Sequence, residues 1–197
     1  MMKRIFDIFF SLIILICTLP FLLIIAILIF LTDFGPVLYK APRVGKNGKL
    51  FKMFKFRTMV VNADKIGASS TTLSDSRITK IGKFLRKTKF DELPQMINVF
   101  IGNMSVVGPR PEVKYFTDLF TEEEKAILSV KPGITDFASV WNADEGKILE
   151  GTQDPDKAYM KLIWPEKKRL QLKYVKERSF WTDIKIVFLT LLAIIKK

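Results

Sequence analysis

Residues 8–31 read IFFSLIILICTLPFLLIIAILIFL, an apolar run without one charged side chain. As a straight helix it would extend ~36 Å, enough to cross a bilayer. The charges around it conflict with a simple crossing. Lys3 and Arg4 precede the run and Lys40, Arg43 and Lys46 follow it, and basic residues mark the cytoplasmic flank of a membrane segment. Pro20 stands near the midpoint, where it removes a helical hydrogen bond and crowds the preceding turn. Each half is then about 12 residues, roughly 18 Å, too short to cross alone. A spanning helix satisfies the length. A helix, break and helix that enters and leaves by one face satisfies length and charge together, and the run by itself leaves both readings open. It is too long for a cleavable signal peptide, and no small-residue cleavage site precedes Asp33.

The remainder is one compact domain by length, since 197 residues leave no room for a second enzymatic core. Lys and Arg number 32 against 20 Asp and Glu, a net charge of +12, while 49% of residues are apolar. A basic surface beside greasy segments points to anionic lipids or phosphorylated ligands. Nucleic acid is the competing partner for any basic protein, but no helix-turn-helix, zinc-finger or RNP motif accompanies the charge. The one cysteine, Cys17, lies in the apolar run and there is no histidine. Disulfide frameworks, cysteine zinc sites and histidine triads are therefore excluded. Chemistry must run on carboxylates, Lys, Arg, Tyr, Ser or Thr.

Val37–Tyr39 and Leu50–Phe56 are apolar, aromatic-rich runs joined through Arg43 to Gly48, and the Asn47-Gly48 pair predicts a β-hairpin. Asp75 or Ser76 caps a helix with Ile78, Ile81 and Leu85 at helical spacing. Phe90 leads into Asp91-Glu92-Leu93-Pro94, and proline suits the first turn of a new helix over 93–100. That puts Asp91 and Glu92 at a helix junction, where free backbone donors attract anions. Thr121 and Glu124 form a capping box before Lys131-Pro132-Gly133. Residues 141–157 read as a polar, acidic surface loop. In the last segment Ile184, Val187, Phe188, Leu191, Leu192 and Ile195 share a helical face, with Trp181 and Lys196-Lys197 at its edges. That helix suits the membrane interface, and packing on the core suits it nearly as well.

Three segments join charge to stiff backbone: Lys55 and Arg57 in FKFRTM, Arg86 through Asp91-Glu92, and Pro109-Arg110-Pro111. Each alone has a plain structural reading, as a wet strand face, a solvated helix start and a turn. In order along the chain, YKAPRVGKNG, FKFRTM, SRITKIGKFLRK, DELPQMINVFIGNMSVVGPRPE, KPGIT and SFWTDIKIVFLT resemble the bacterial sugar transferases, the small monotopic phosphoglycosyl transferases. The resemblance covers essentially the whole chain. It departs after KPGIT, where Asp136-Phe137-Ala138-Ser139 follows, and at Gln171, where larger relatives carry an aspartate.

The resemblance implies an α+β, mostly helical monotopic protein: a re-entrant membrane hairpin over 1–36 broken at Pro20, a cytoplasmic catalytic domain over 37–180 with a small β-hairpin, and an interfacial amphipathic helix over 181–197. It implies transfer of a phosphosugar from a UDP-sugar to polyprenol phosphate at the inner membrane, the first membrane step of glycoconjugate assembly, with downstream glycosyltransferases as further partners. Asp91 is then the nucleophile that forms an aspartyl phosphosugar, and Glu92 a ligand of Mg²⁺. Lys55, Arg57, Arg86, Pro109, Arg110 and Pro111 are expected at the phosphates and uridine. Cationic neutralisation of this kind is what a carboxylate needs to attack an anionic diphosphate. The reading in another class is a non-enzymatic basic membrane protein that binds lipid or nucleic acid.

Overall fold

The computed structural model describes residues 2–66, 71–72, 74–142 and 145–195. Its first element, α1 (Met2–Asp33, 32 residues), runs through Pro20 without leaving the helix. The Thr18 hydroxyl donates to the Ile14 carbonyl at 2.6 Å in the turn where proline takes a donor away. The interruption expected from the sequence is thus a proline inside one helix. Most of its apolar surface is unburied, and among the described residues it is the one helix long and apolar enough to cross a membrane.

Both ends of α1 dock on the same folded body. Near its start, Lys3 Nζ donates to Val107 O at 2.9 Å and pairs with Asp183. Arg4 donates to the carbonyls of Val99 and Phe100, both at 2.6 Å, and the buried Asp7 accepts from Ser105 Oγ at 3.0 Å and Val106 N at 2.9 Å. At its far end Ile25 and Ile29 are packed with Phe56 and Leu85, and Asp33 takes both arms of the Arg57 guanidinium.

The hairpin forms as the Asn-Gly pair demands. Strands β1 (Leu38–Val44) and β2 (Leu50–Phe56) run antiparallel, with Val44 opposite Leu50. Asn47 and Gly48 supply the left-handed backbone of the turn at φ 57° and 76°. Helix α2 (Lys80–Thr88) starts later than expected: its cap is Thr79, whose Oγ1 accepts from Gly82 N at 3.0 Å. Asp75 binds Arg77 instead. The reason is tertiary: the chain turns over Asp75 to Ile78, with Ile78 N on Asp75 O at 3.1 Å, and then Met59 and Ile78 form an antiparallel bridge and Thr79 N bonds Thr58 O at 3.0 Å, so the helix starts only after Thr79. A Cβ at Gly82 would lie 1.9 Å from Thr58 O, so only glycine admits this approach.

A 3₁₀ turn, Phe90–Glu92, and Pro94 lead into α3 (Gln95–Ile101). Arg4 thus supplies a donor to Phe100 O and a second one to Val99 O, which already accepts from Gly102 N at 3.1 Å, where the end of α3 leaves carbonyls without full helical partners. Strand β3 (Ser105–Val107) pairs in parallel with β4 (Gly133–Thr135), and a Cβ on Gly133 would meet Gly108 N at 2.1 Å. Between them lie the short α4 (Lys114–Thr117) and a 3₁₀ stretch over Glu124–Ser129. The expected capping box is there, with Thr121 N to Glu124 Oε2 at 2.9 Å and Glu124 N to Thr121 Oγ1 at 3.3 Å.

The chain closes with α5 (Phe137–Trp141), α6 (Glu145–Ile148), α7 (Pro155–Leu162), α8 (Trp164–Glu177) and α9 (Phe180–Ile195). The acidic stretch read as a loop therefore carries α6 and the start of α7; residues 143 and 144 lie outside the described residues. Helix α9 uses two faces. Asp183 and Ile186 are buried and Thr190 bonds Thr135 across 2.7 Å, whereas Trp181, Phe188, Leu191 and Leu192 stay exposed. Lys196, Lys197 and the side chain of Ile195 lie outside the described residues. The whole is α+β and mostly helical. One core joins Phe6 and Phe10 of α1 to Val99, Val107, Tyr174 and Ile186, and an aromatic core of Phe116, Phe120, Tyr159 and Trp164 sits under α7 and α8.

Candidate active site

Asp91 and Glu92 occupy the 3₁₀ turn because Lys89, at φ 61°, reverses the chain out of α2 before Pro94 starts α3. Glu92 is tied from two sides. Lys55 Nζ, from β2, donates to its Oε1 at 2.9 Å, and Arg110 clamps the carboxylate with Nη1 3.0 Å from Oε2 and Nη2 on Oε1. A bidentate guanidinium fork of this kind fixes orientation as well as charge.

Arg110 is held at its backbone. Its N–H donates to Asp136 Oδ2 at 3.2 Å, its carbonyl accepts from Gln171 Nε2 at 3.2 Å, and the preceding Pro109 O accepts from Gly133 N at 3.0 Å. Pro109 and Pro111 are both buried beside it. The two prolines therefore stiffen the arginine's mount, and Gln171, fully buried, is part of that mount.

Asp91 differs from its neighbour. It is buried, and its Oδ1 has no hydrogen-bond partner among the described residues. Burial pushes its carboxyl above the ordinary carboxylate range; the charges of Lys55 and Arg86 pull it down, and that of Glu92 pushes it up. For Glu92 burial also opposes ionisation, but Arg110 and Lys55 outweigh it and hold the group well below the usual range. Arg86 reaches Thr58 Oγ1 with Nε at 2.9 Å. Burial depresses its basicity, and the negative charge of Asp91 counters that. Two adjacent carboxylates driven in opposite directions are a common mark of divided roles. Here one is locked in place and the other has a free oxygen among cations.

Of the residues singled out in the sequence, Asp91, Glu92, Lys55, Arg86 and Arg110 come together. Arg57 does not join them. Its guanidinium is committed to Asp33 and its Nε to Pro36 O at 2.6 Å, so this arginine fastens the end of α1 to β2. A group that sequence reasoning missed stands behind Arg110. The buried Lys167 Nζ contacts Glu112 Oε1 at 2.6 Å, Glu145 Oε1 at 3.0 Å and Tyr159 OH at 2.9 Å. Burial works against the lysine's charge, and the two carboxylates more than restore it. Glu145 acts electrostatically on Arg110 and Lys55, which makes it a third carboxylate at the site. Only Glu112, next to the Pro-Arg-Pro motif, carried any sequence signal. Tyr159, Lys167 and Glu145 meet through three separate helices.

The family model described as bacterial sugar transferase matches residues 1–197. An Escherichia coli (strain K12) protein named UDP-glucose:undecaprenyl-phosphate glucose-1-phosphate transferase is 39% identical over 196 residues, covering 96% of this chain and 39% of that protein. A Bacillus subtilis (strain 168) protein named putative undecaprenyl-phosphate N-acetylgalactosaminyl 1-phosphate transferase is 49% identical over 121 residues, covering 61% of this chain and 68% of that one. The exopolysaccharide production protein PSS of Rhizobium leguminosarum bv. phaseoli is 39% identical, covering 98% of this chain and 94% of its own length. The chain spans about two fifths of the first of these relatives. The motifs that build the site thus stand inside a match covering all residues from 1 to 197, and the chain belongs to the bacterial sugar transferase family.

Proposed function

We propose that this chain transfers a sugar phosphate from a UDP-sugar to polyprenol phosphate through a covalent intermediate on Asp91. The observation that carries the reading is the Asp91 carboxylate, enclosed, with Oδ1 unpartnered, between Lys55 and Arg86. In the first displacement a carboxylate oxygen of Asp91 attacks the β-phosphorus of the donor. The bond from that phosphorus to the bridging oxygen breaks, and UMP leaves with the oxygen and its electron pair. In the second, an oxygen of polyprenol phosphate attacks the same phosphorus and the carboxylate departs, giving polyprenyl diphosphate-sugar. Splitting the transfer lets a soluble donor and a lipid acceptor use one site in turn. Arg86 faces the negative charge that builds at Asp91, while Arg110 and Lys55 hold Glu92 and present their remaining donors to the diphosphate. The relatives' names carry glucose and N-acetylgalactosamine, which supports UDP-sugars as the donor class.

Among the described residues no group of three or more carboxylates converges on one point. Mg²⁺ takes one or two carboxylates and completes its shell with substrate phosphates and water. Glu92 Oε2 accepts from Arg110 Nη1 and keeps a second lone pair, so Glu92 is the residue that would hold the ion. Bound there, Mg²⁺ would neutralise the donor's diphosphate.

The docking of both ends of α1 on one body supports a re-entrant, monotopic seat in the cytoplasmic leaflet. A spanning helix would carry Lys3, Arg4 and Asp7 to the far side of the bilayer, away from their partners. With Cys17 replaced by Ser, cysteines placed at Met2 and Lys46 are expected to be equally shielded from an impermeant thiol reagent in intact cells. Labelling at Met2 alone would establish a spanning helix.

For the activity itself, the purified protein with Mg²⁺ and a panel of UDP-sugars is expected to release up to one UMP per chain without acceptor, and to turn over once undecaprenyl phosphate is added. A non-catalytic membrane anchor would release none.

A further inference from the structure

A lipid acceptor has its phosphate at Asp91 and its tail in the hydrocarbon, so some apolar surface must connect the two. The fold provides one. Phe90 immediately precedes Asp91 on the same 3₁₀ turn, where successive side chains point about 120° apart, so ring and carboxylate occupy neighbouring faces of that turn. Phe90 packs edge-on against Phe21 of α1 with ring centroids 4.9 Å apart, and against Phe84 of α2 at 6.3 Å. Phe21 follows Pro20 at the middle of the apolar helix. Phe84 is out of keeping with its surroundings: it is 54% exposed on a helix whose neighbouring positions Lys80, Lys83 and Lys87 all face solvent. The core does not need this ring, since Leu85 and Ile81 make that contact.

We infer that the isoprenoid tail of the acceptor lies along Phe90, Phe84 and Phe21, which guide it from the bilayer to Asp91. The inference rests on the transfer reading above and names its acceptor subsite. Charge and shape agree with one occupant. The lysines of α2 and Arg86 draw an anionic head group to the same helix that offers the exposed ring. Three rings in contact present a wide apolar strip for a branched, unsaturated chain. An ordinary phospholipid would gain from the strip as well, but it has no reason to bring its phosphate to the carboxylate one residue away.

The test compares Phe84→Ala with the parent, using undecaprenyl phosphate and the short geranyl phosphate as acceptors. The parent is expected to favour the long acceptor, and in the variant that preference should fall about tenfold, through acceptor KM rather than kcat, as loss of one buried ring implies. Phe84→Leu should keep most of it. Equal effects on both acceptors, or none, would overturn the inference. So would weaker association with vesicles of anionic phospholipid and no change in preference, which would make Phe84 a bilayer contact. Retention of the two acceptors on the protein, read by native mass spectrometry, separates this from the reaction. A parent that releases no UMP, yet holds undecaprenyl phosphate better than geranyl phosphate through Phe84, would sink the transfer reading and leave the tail site standing.

Discussion

Asp91→Asn is expected to lower UMP release and lipid product by roughly three orders of magnitude or more while making the folded protein more stable. The variant keeps the shape of the side chain and loses the anionic nucleophile. Its stability should rise by about 1 kcal/mol, the usual gain when a site strained for function is relaxed. The sign follows from the direction of the shift. Burial raises the folded-state value of Asp91 above the unfolded one, so the native chain binds a proton where the unfolded chain has lost it. Stability from this group is therefore present below the ordinary carboxylate range and declines as pH rises to the raised value. That decline should vanish in Asp91→Asn, and in the parent UMP release should increase over the same pH interval as the nucleophile ionises. A radiolabelled sugar-phosphate adduct, cleaved by hydroxylamine, should form on the parent alone. Its appearance on Asp91→Asn would give the nucleophile's role to another residue.

Glu92→Gln should act in the opposite sense on the fold. Lys55 and Arg110 converge on this carboxylate, and removing one partner from a largely enclosed ion network leaves cations unpaired at a cost of about 3–5 kcal/mol. For a chain of this size that corresponds to a fall of roughly 10 °C in melting temperature. Because Glu92 is held well below the usual carboxylate range, its contribution is fully present above that usual range and is lost as pH falls from there through the depressed value. Activity should drop too, and the Mg²⁺ concentration for half-maximal UMP release should rise, partly restoring turnover at high Mg²⁺. Melting and the Mg²⁺ titration read different things. An unchanged melting temperature would deny that Glu92 holds the two cations, and an unchanged Mg²⁺ requirement would deny that it binds the metal.

The turns and caps were legible because their signals are local, and the site because its motifs, taken in order, resemble a family. Asn47-Gly48 dictated the hairpin, Thr121 and Glu124 the capping box, and the order of the Asp-Glu and Pro-Arg-Pro motifs brought Asp91, Glu92, Lys55, Arg86 and Arg110 into view. What stayed hidden depends on contacts distant in sequence. Thr79 caps α2 in place of Asp75 because Ile78 and Thr79 are first paired with Met59 and Thr58. Arg57 looks like Lys55 in a strand, yet it turns to Asp33 at the end of α1. Lys167 sits in a highly charged stretch that reads as solvated surface, and it is buried because Glu112, Glu145 and Tyr159 are waiting for it. The double use of α9 was open for the same reason, as a period of 3.6 does not say which apolar stripe meets protein.

The bond between Lys3 and Asp183 joins positions 180 apart, and this has a consequence for how the molecule is made. At about 5–20 residues per second, translation leaves the first segment without that partner for on the order of ten seconds or more. During that interval Lys3 lacks its carboxylate, and the start of α1 has only the earlier partners, the carbonyls of Val99, Phe100 and Val107, Ser105 Oγ and Val106 N, once these emerge. Helix α9 then acts as a latch that closes after those contacts. Docking of α1 is thus a two-stage event, with the contacts to residues 99–107 available first and the ion pair to α9 added later.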